Sequence, residues 1–288
     1  MQVIIQTVIP IFSIILVGYI IGKIKKIDVQ RFINLIVYIA GPCLIFSSIA
    51  TSDINLTDFT SIAVAALAIL LFMVTFACLT LKLTRSDKKG LYLPMVFGNT
   101  SYVGYPVALF AFGVDGLSRA VVFDMINSIL IFSLGIYIVH HRNELQEAFK
   151  VPLLYAVVIG LVVNLSKITI PQVLFLPIEM VGLVTIPLAL LVLGYKLTEI
   201  KISTAKIVLL ASAFRILGGF FVGLMIVNLL SLDGLVKDII LLQAAMPSAV
   251  MSMILAAKYK RDASLVASVV CITTLLSILS IPLILSIL

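Results

Sequence analysis

Charged side chains make up only 11% of this 288-residue sequence, and tryptophan is absent. Soluble domains carry about a quarter charged residues, so the scarcity excludes an ordinary water-soluble globule. There are three cysteines, Cys43, Cys78 and Cys271, all inside apolar runs. That placement reads as packing and excludes a disulfide framework. The two histidines, His140 and His141, have no cysteine or carboxylate nearby at metal-ligand spacing, so no metal site is expected. A Gly-x-x-x-x-Gly-Lys-Ser/Thr phosphate loop is missing, as are His-Glu-x-x-His and Gly-x-Ser-x-Gly. These absences exclude ATP-driven pumping and the commoner membrane hydrolases, so neither an enzyme nor a cofactor is expected.

What the chain has is apolar: 62% of its residues are hydrophobic, with a mean hydropathy of +1.27. Apolar runs fall at about 3–21, 32–51, 59–81, 91–112, 119–139, 151–166, 173–195, 206–230, 238–257 and 263–287. Ten helices of about 20 residues use roughly 200 residues and leave only loops and tails. The fold class expected is an all-α membrane protein of ten transmembrane helices, with no sizeable domain outside the bilayer.

The net charge of +7 orients this array. Alternate loops, starting with the first, hold sixteen basic residues: Lys23, Lys25, Lys26, Arg31; Lys82, Arg85, Lys88, Lys89; Arg142, Lys150; Lys196, Lys201, Lys206; Lys258, Lys260, Arg261. The other loops hold three, Arg119, Lys167 and Lys237. Such asymmetry places the basic loops in the cytoplasm and both termini outside, in the inner (plasma) membrane. It accounts for the basic excess without a nucleic-acid partner. Lys23, Lys25 and Lys26 follow the first apolar run where a cleaved signal would carry them in front, so that run is read as a span.

Five spans per half would set a duplicated half upside down, and the breakers repeat accordingly. Pro10 and Gly18 match Pro152 and Gly160, 142 residues apart. Pro42 matches Pro187 at 145, Pro106 matches Pro247 at 141, and Asp115 matches Asp262 at 147. The expected organisation is a first five-helix repeat at 1–145 and an inverted second repeat at 146–288, a hallmark of secondary transporters.

The fourth run is interrupted by Gly98-Asn99-Thr100-Ser101-Tyr102-Val103-Gly104-Tyr105-Pro106, the ninth by Gln243-Ala244-Ala245-Met246-Pro247-Ser248. Pro106 removes a backbone donor and disfavours helical geometry at Tyr105. Both helices should unwind near the bilayer centre and offer free peptide groups and half-helix N-termini to an anion. Asn99, Thr100, Ser101, Gly104, Tyr105, Pro106, Gln243, Met246, Pro247 and Ser248 are therefore the candidate substrate-binding residues. Met246, Met251 and Met253 could line an adaptable apolar pocket, but plain helix packing is the preferred reading of the three.

Two ionisable residues fall inside spans. Asp124, followed by Asn127 and Ser128, is a candidate for ion coupling, by carrying a proton or binding a cation. The alternatives are a pair with Arg119 or a hydrated vestibule. Arg215 lies too deep to reach water easily. Its guanidinium could bind a substrate carboxylate, tie down carbonyls freed at a broken helix, or neutralise Asp124.

With these residues in view, the chain resembles the auxin efflux carrier family, which includes plant auxin exporters and bacterial malate and malonate permeases. The resemblance covers nearly all ten runs. It rests most on Phe97-Gly98-Asn99-Thr100-Ser101-Tyr102-Val103-Gly104-Tyr105-Pro106, then on Met246-Pro247-Ser248-Ala249 and Ala256-Ala257-Lys258-Tyr259. The closing Thr273-Thr274-Leu275-Leu276-Ser277 with Ile281-Pro282-Leu283 adds to it. The resemblance implies two inverted five-helix repeats, with runs 1, 2, 6 and 7 as a scaffold often used for homodimerisation. It puts Asn99 and Pro106 at a first crossover and Pro247 at a second. The plant exporters' long loop between spans five and six is replaced by His140 to Lys150. The function expected is secondary active transport of small organic anions, carboxylates first among them, by alternating access around a midplane site, with H⁺ or Na⁺ as candidate coupling partners. A cation/proton exchanger on the same scaffold is the alternative.

Overall fold

The computed structural model describes residues 2–140, 152–200, 203 and 206–288; His141 and most of the loop to Lys150 lie outside these. Among the described residues every regular element is helical. They are α1 (Gln2–Ile24), α2 (Val29–Thr51), α3 (Leu56–Leu83), α4 (Tyr92–Val96), α5 (Gly104–Val139), α6 (Pro152–Leu165), α7 (Gln172–Leu197), α8 (Lys206–Leu229), α9 (Gly234–Ala244), α10 (Val250–Lys258) and α11 (Ala263–Ile287). Seven of these are long and apolar enough to cross a membrane: α1, α2, α3, α5, α7, α8 and α11. The protein is a multi-pass membrane protein. Its outer surface agrees, since Ile24, Leu83, Val173 and Leu229 stand well exposed where water would make them costly.

The ten apolar runs are not ten plain helices. Run six gives the short helix α6, and runs four and nine are each cut in two. Helix α5 joins the end of run four to run five, and its 36 residues would span about 54 Å if straight. It is not straight, because Gly113 sits at φ 70°, ψ −161°. Only glycine takes up such a conformation without strain, so the chain breaks there.

Local chemistry sets several ends. Asp28 accepts from the Gln30 amide at 3.2 Å, and Asn55 accepts from the Asp58 amide at 2.7 Å, capping α2 and α3. The Asn164 side-chain amide donates to the carbonyls of Ile49 and Ser52 at 2.9 and 2.6 Å, tying the end of α6 to the end of α2.

Two sets of helices pack within one continuous core. In the first, α1 lies along the second half of α7, and α2 packs on α6 and the first half of α7. In the second, α5 packs on α3 and α9, α8 on α3, α9 and α11, and α10 on α11. The α1–α7 approach is close enough that small residues are required. A Cβ on Gly194 would lie 1.9 Å from the Ile15 carbonyl oxygen, and one on Gly18 would lie 2.2 Å from that of Leu191.

Three five-residue π-helical turns interrupt the long helices: Ile36–Ala40 in α2, Ile131–Gly135 in α5 and Phe214–Gly218 in α8. Such turns often mark functional sites, and each of these three contributes to the region described next.

Candidate functional site

The breaks between α4 and α5 (residues 97–103) and between α9 and α10 (residues 245–249) lie against each other. Gly98 and Ser248 form an antiparallel bridge. The Asn99 amide donates to the Pro247 carbonyl at 2.6 Å, and the Ala249 amide donates to the Phe97 carbonyl at 2.9 Å. The Ser248 amide donates to Thr273 Oγ1 at 3.0 Å, and its hydroxyl donates to the Pro94 carbonyl at 2.7 Å. The unwound peptides are thus mostly not bare, as the sequence suggested, but paired across the gap. Buried peptide groups without water must find protein partners.

The break in the first segment also ends earlier than expected. Tyr105 is helical, and Pro106 stands in the first turn of α5, where a missing N–H costs nothing. The turn at 99–103 closes that helix end: Gly104 N–H donates to the Asn99 carbonyl at 3.0 Å and Tyr105 N–H to that of Ser101 at 3.2 Å. The N-terminus of α5 therefore offers little to an anion. That of α10 differs, because the N–H groups of its first turn, from Val250 and Met251, lack intrahelical acceptors and these residues line a cavity.

The cavity has a volume of about 130 Å³. Asn99, Ser101, Tyr102, Asp124, Asn127 and Ser128 supply its polar wall, and Val37, Ile131, Phe132, Leu153, Val250, Met251 and Ile254 much of the apolar remainder. The π-turns of α2 and α5 supply Val37, Ile131 and Phe132. A side cavity of about 50 Å³ adjoins it, sharing Val37, Ser101, Tyr102 and Leu153 and adding Tyr105 and Pro106. Asn99 is 3% exposed and its side-chain N–H₂ has no partner, while its Oδ1 accepts from the Tyr102 amide at 3.2 Å. An unpaired buried donor on a cavity wall is expensive unless something in the cavity accepts from it.

Asp124 is buried beside it. Thr100 Oγ1 donates to one carboxyl oxygen, and the Tyr105 hydroxyl donates to the other at 2.8 Å. The Asn127 side-chain amide donates to Thr100 Oγ1 at 2.9 Å and to the Gly98 carbonyl at 3.2 Å. The carboxyl is thereby wired to the first break. It does not pair with Arg119, whose guanidinium binds Asp58 across α5 and α3.

Arg215 takes up the carbonyl-tethering alternative. Buried at 2% exposure in the π-turn of α8, it donates to the carbonyls of Val96, Ala244 and Met246. Its charge sits at the C-terminal ends of α4 and α9, where helix dipoles favour a cation. It lies behind Gly98 and outside the cavity wall. Thr100, Gly104, Gln243, Met246, Pro247 and Ser248 are likewise framework and do not line the cavity. Gln243 is fully buried with both amide atoms unpartnered, pressed against the close approach at Gly104.

Sequence reasoning left out Tyr102, Ser128, Phe132 and Leu153. Tyr102 stood inside the quoted motif and Ser128 beside Asn127, but Val37 and Leu153 come from helices with no local signal.

A helix-lined cavity at two abutting breaks, in a protein coated with apolar residues, has the form of a solute carrier. A family model described as "Membrane transport protein" matches residues 3–149 and 144–285. The chain belongs to the auxin efflux carrier family. Two relatives from archaea are similar along their whole length: an "Uncharacterized transporter" of Methanocaldococcus jannaschii, 29% identical, and one of Methanothermobacter thermautotrophicus, 28% identical. Each alignment covers 96% of both chains. Like its family, the protein is a membrane transporter and not an enzyme.

Proposed function

We propose that this auxin efflux carrier family member is a secondary active transporter of small organic anions, carboxylates above all. The single observation that carries the reading is the cavity beside the breaks, one small volume lined both by Asn99, whose side-chain N–H₂ has no partner, and by Val250 and Met251 of the first turn of α10. At about 130 Å³ it is well below the roughly 300 Å³ of a drug-sized pocket, which suits a compact solute.

In this reading the chain crosses the bilayer ten times, as two inverted repeats, 1–145 and 146–288. Helix α5 contributes two crossings divided at Gly113, while α4 with the start of α5, and α9 with α10, form the two crossovers. The set α1, α2, α6 and α7 is the scaffold, on which homodimerisation would occur, and the remaining helices move against it. The Lys-rich loops lie in the cytoplasm, and both termini lie outside the plasma membrane. A recess of about 530 Å³ lined by Gln30, Lys196, Glu199, Met253 and Ala257 shares Ile254 with the cavity and supports access from the basic-loop side.

Asn99 and Ser101 are the substrate's hydrogen-bond partners, Tyr102 and Phe132 bound its apolar part, and Arg215 holds the frame. The test is uptake of radiolabelled malate, malonate and indole-acetate into proteoliposomes. Asn99→Ala is expected to lower uptake tenfold or more, the rough worth of a hydrogen bond to a charged group. Uptake unchanged in that variant would overturn the assignment.

A further inference from the structure

We propose that anion binding in this cavity is obligatorily linked to protonation of Asp124, which makes the carrier a proton–anion symporter. The inference rests on the organic-anion reading above and adds the identity and sign of the coupling.

The argument begins with charge. Among the described residues, neither the central cavity nor its side cavity has Lys, Arg or His in its wall, whereas Asp124 lines the former. The groups facing Asp124 are hydroxyls and amides: Thr100 and Tyr105 on its oxygens, with Tyr102, Asn127 and Ser128 beside it. From α2 and α6 only apolar residues approach, Ile45, Leu153, Leu154 and Val157. The two nearest cations by sequence or fold are already engaged, Arg119 by Asp58 and Arg215 by three carbonyls. A carboxylate ligand placed beside an ionised Asp124 would thus meet a like charge a few ångströms away with no side-chain cation in the wall to offset it. At an effective dielectric constant of about 20 such repulsion weakens binding by roughly a hundred- to a thousandfold.

Protonation removes the penalty and supplies a bond. One proton from bulk water converts the carboxylate to a carboxylic acid, whose O–H can donate to the incoming carboxylate. Two carboxyl groups sharing one proton are a stable arrangement where two anions are not. Sodium is the less suited partner, because both Asp124 oxygens already accept from hydroxyls.

The hydrogen bonds also give the coupling a route to the fold. Loss of charge at Asp124 weakens its hold on Thr100, and Thr100 shares Asn127 with the Gly98 carbonyl at the bridge to Ser248. The occupied, protonated site and the empty, ionised one are then the two forms in which an alternating carrier reorients between the faces of the membrane.

The full-length protein in detergent is titrated with malonate, malate and indole-acetate by calorimetry between pH 6.5 and 8.5. Buffers of differing ionisation enthalpy count the protons taken up, and Na⁺ is compared with choline. Wild type is expected to take up about one proton per ligand, with affinity falling up to tenfold per pH unit. Asp124→Asn is expected to bind independently of pH, without proton uptake, and at pH 8.5 tenfold or more tightly than wild type. A merely structural Asp124 would make that variant bind more weakly at every pH, which overturns the proposal. Wild-type binding without proton uptake, or binding that requires Na⁺, overturns the coupling and leaves the anion reading standing. Failure of all three anions to bind wild type overturns both. The wild-type proton count decides the matter even if the variant does not fold.

Discussion

Arg215 and Asp124 show how two buried charges of opposite sign can be kept apart for different work. Arg215 spends its donors on the carbonyls of Val96, Ala244 and Met246, so one side chain closes the ends of two interrupted helices. Replacing it with methionine leaves three buried acceptors without donors. We expect Arg215→Met to lower stability by ~3 kcal/mol or more, read as a fall in the thermal midpoint in detergent. Arg215→Lys should recover only part of this, because a compact ammonium does not match the planar fork's reach. A variant as stable as wild type would remove the tethering role. Both residues stood out in the sequence by being ionisable within apolar runs. The partners of Arg215 did not, since Val96 and Ala244 act through backbone oxygen, which no side-chain pattern encodes.

At the scale of helices, the informative features are places where an element is cut, bulged or pressed close. The sequence located the two cuts through Gly98 to Pro106 and Gln243 to Ser248. It misjudged how the first is finished, because Pro106 serves as a first-turn residue after a turn closed by Asn99 and Ser101 carbonyls. The π-turns at Ile36–Ala40, Ile131–Gly135 and Phe214–Gly218 were not foreseeable. They fall in segments apolar on nearly every face, where a shift of helical phase leaves no mark on the pattern, and they contain Val37, Phe132 and Arg215. The α1–α7 contact is equally specific. Gly194→Ala places a methyl group against the backbone of Ile15 and Tyr19, which cannot yield as a side chain can. The expected cost is about 1–3 kcal/mol, with the midpoint of thermal unfolding as readout. Gly218→Ala, whose Cβ would meet nothing nearer than 3.8 Å, serves as the tolerant control.

For the molecule as a whole, the recess beside Lys196 and Glu199 lies on the side of the basic loops, continuous in lining with the central cavity through Ile254. Ala257 is exposed within it. In sealed vesicles of known orientation, Ala257→Cys on a background lacking Cys43, Cys78 and Cys271 is expected to react with an impermeant maleimide from the basic-loop side alone. Equal reaction from the opposite side would contradict a carrier open in one direction. The sequence by itself determined that the protein lies in a membrane and where its helices are interrupted. Apolar length and helix breakers act locally, and each is written in consecutive residues. Only the tertiary structure decided which polar groups remain free around the cavity. Asn99 keeps an unused donor while each guanidinium nitrogen of Arg215 reaches a carbonyl, that of Val96 lying more than a hundred residues away, and such pairings are settled in space, not along the chain.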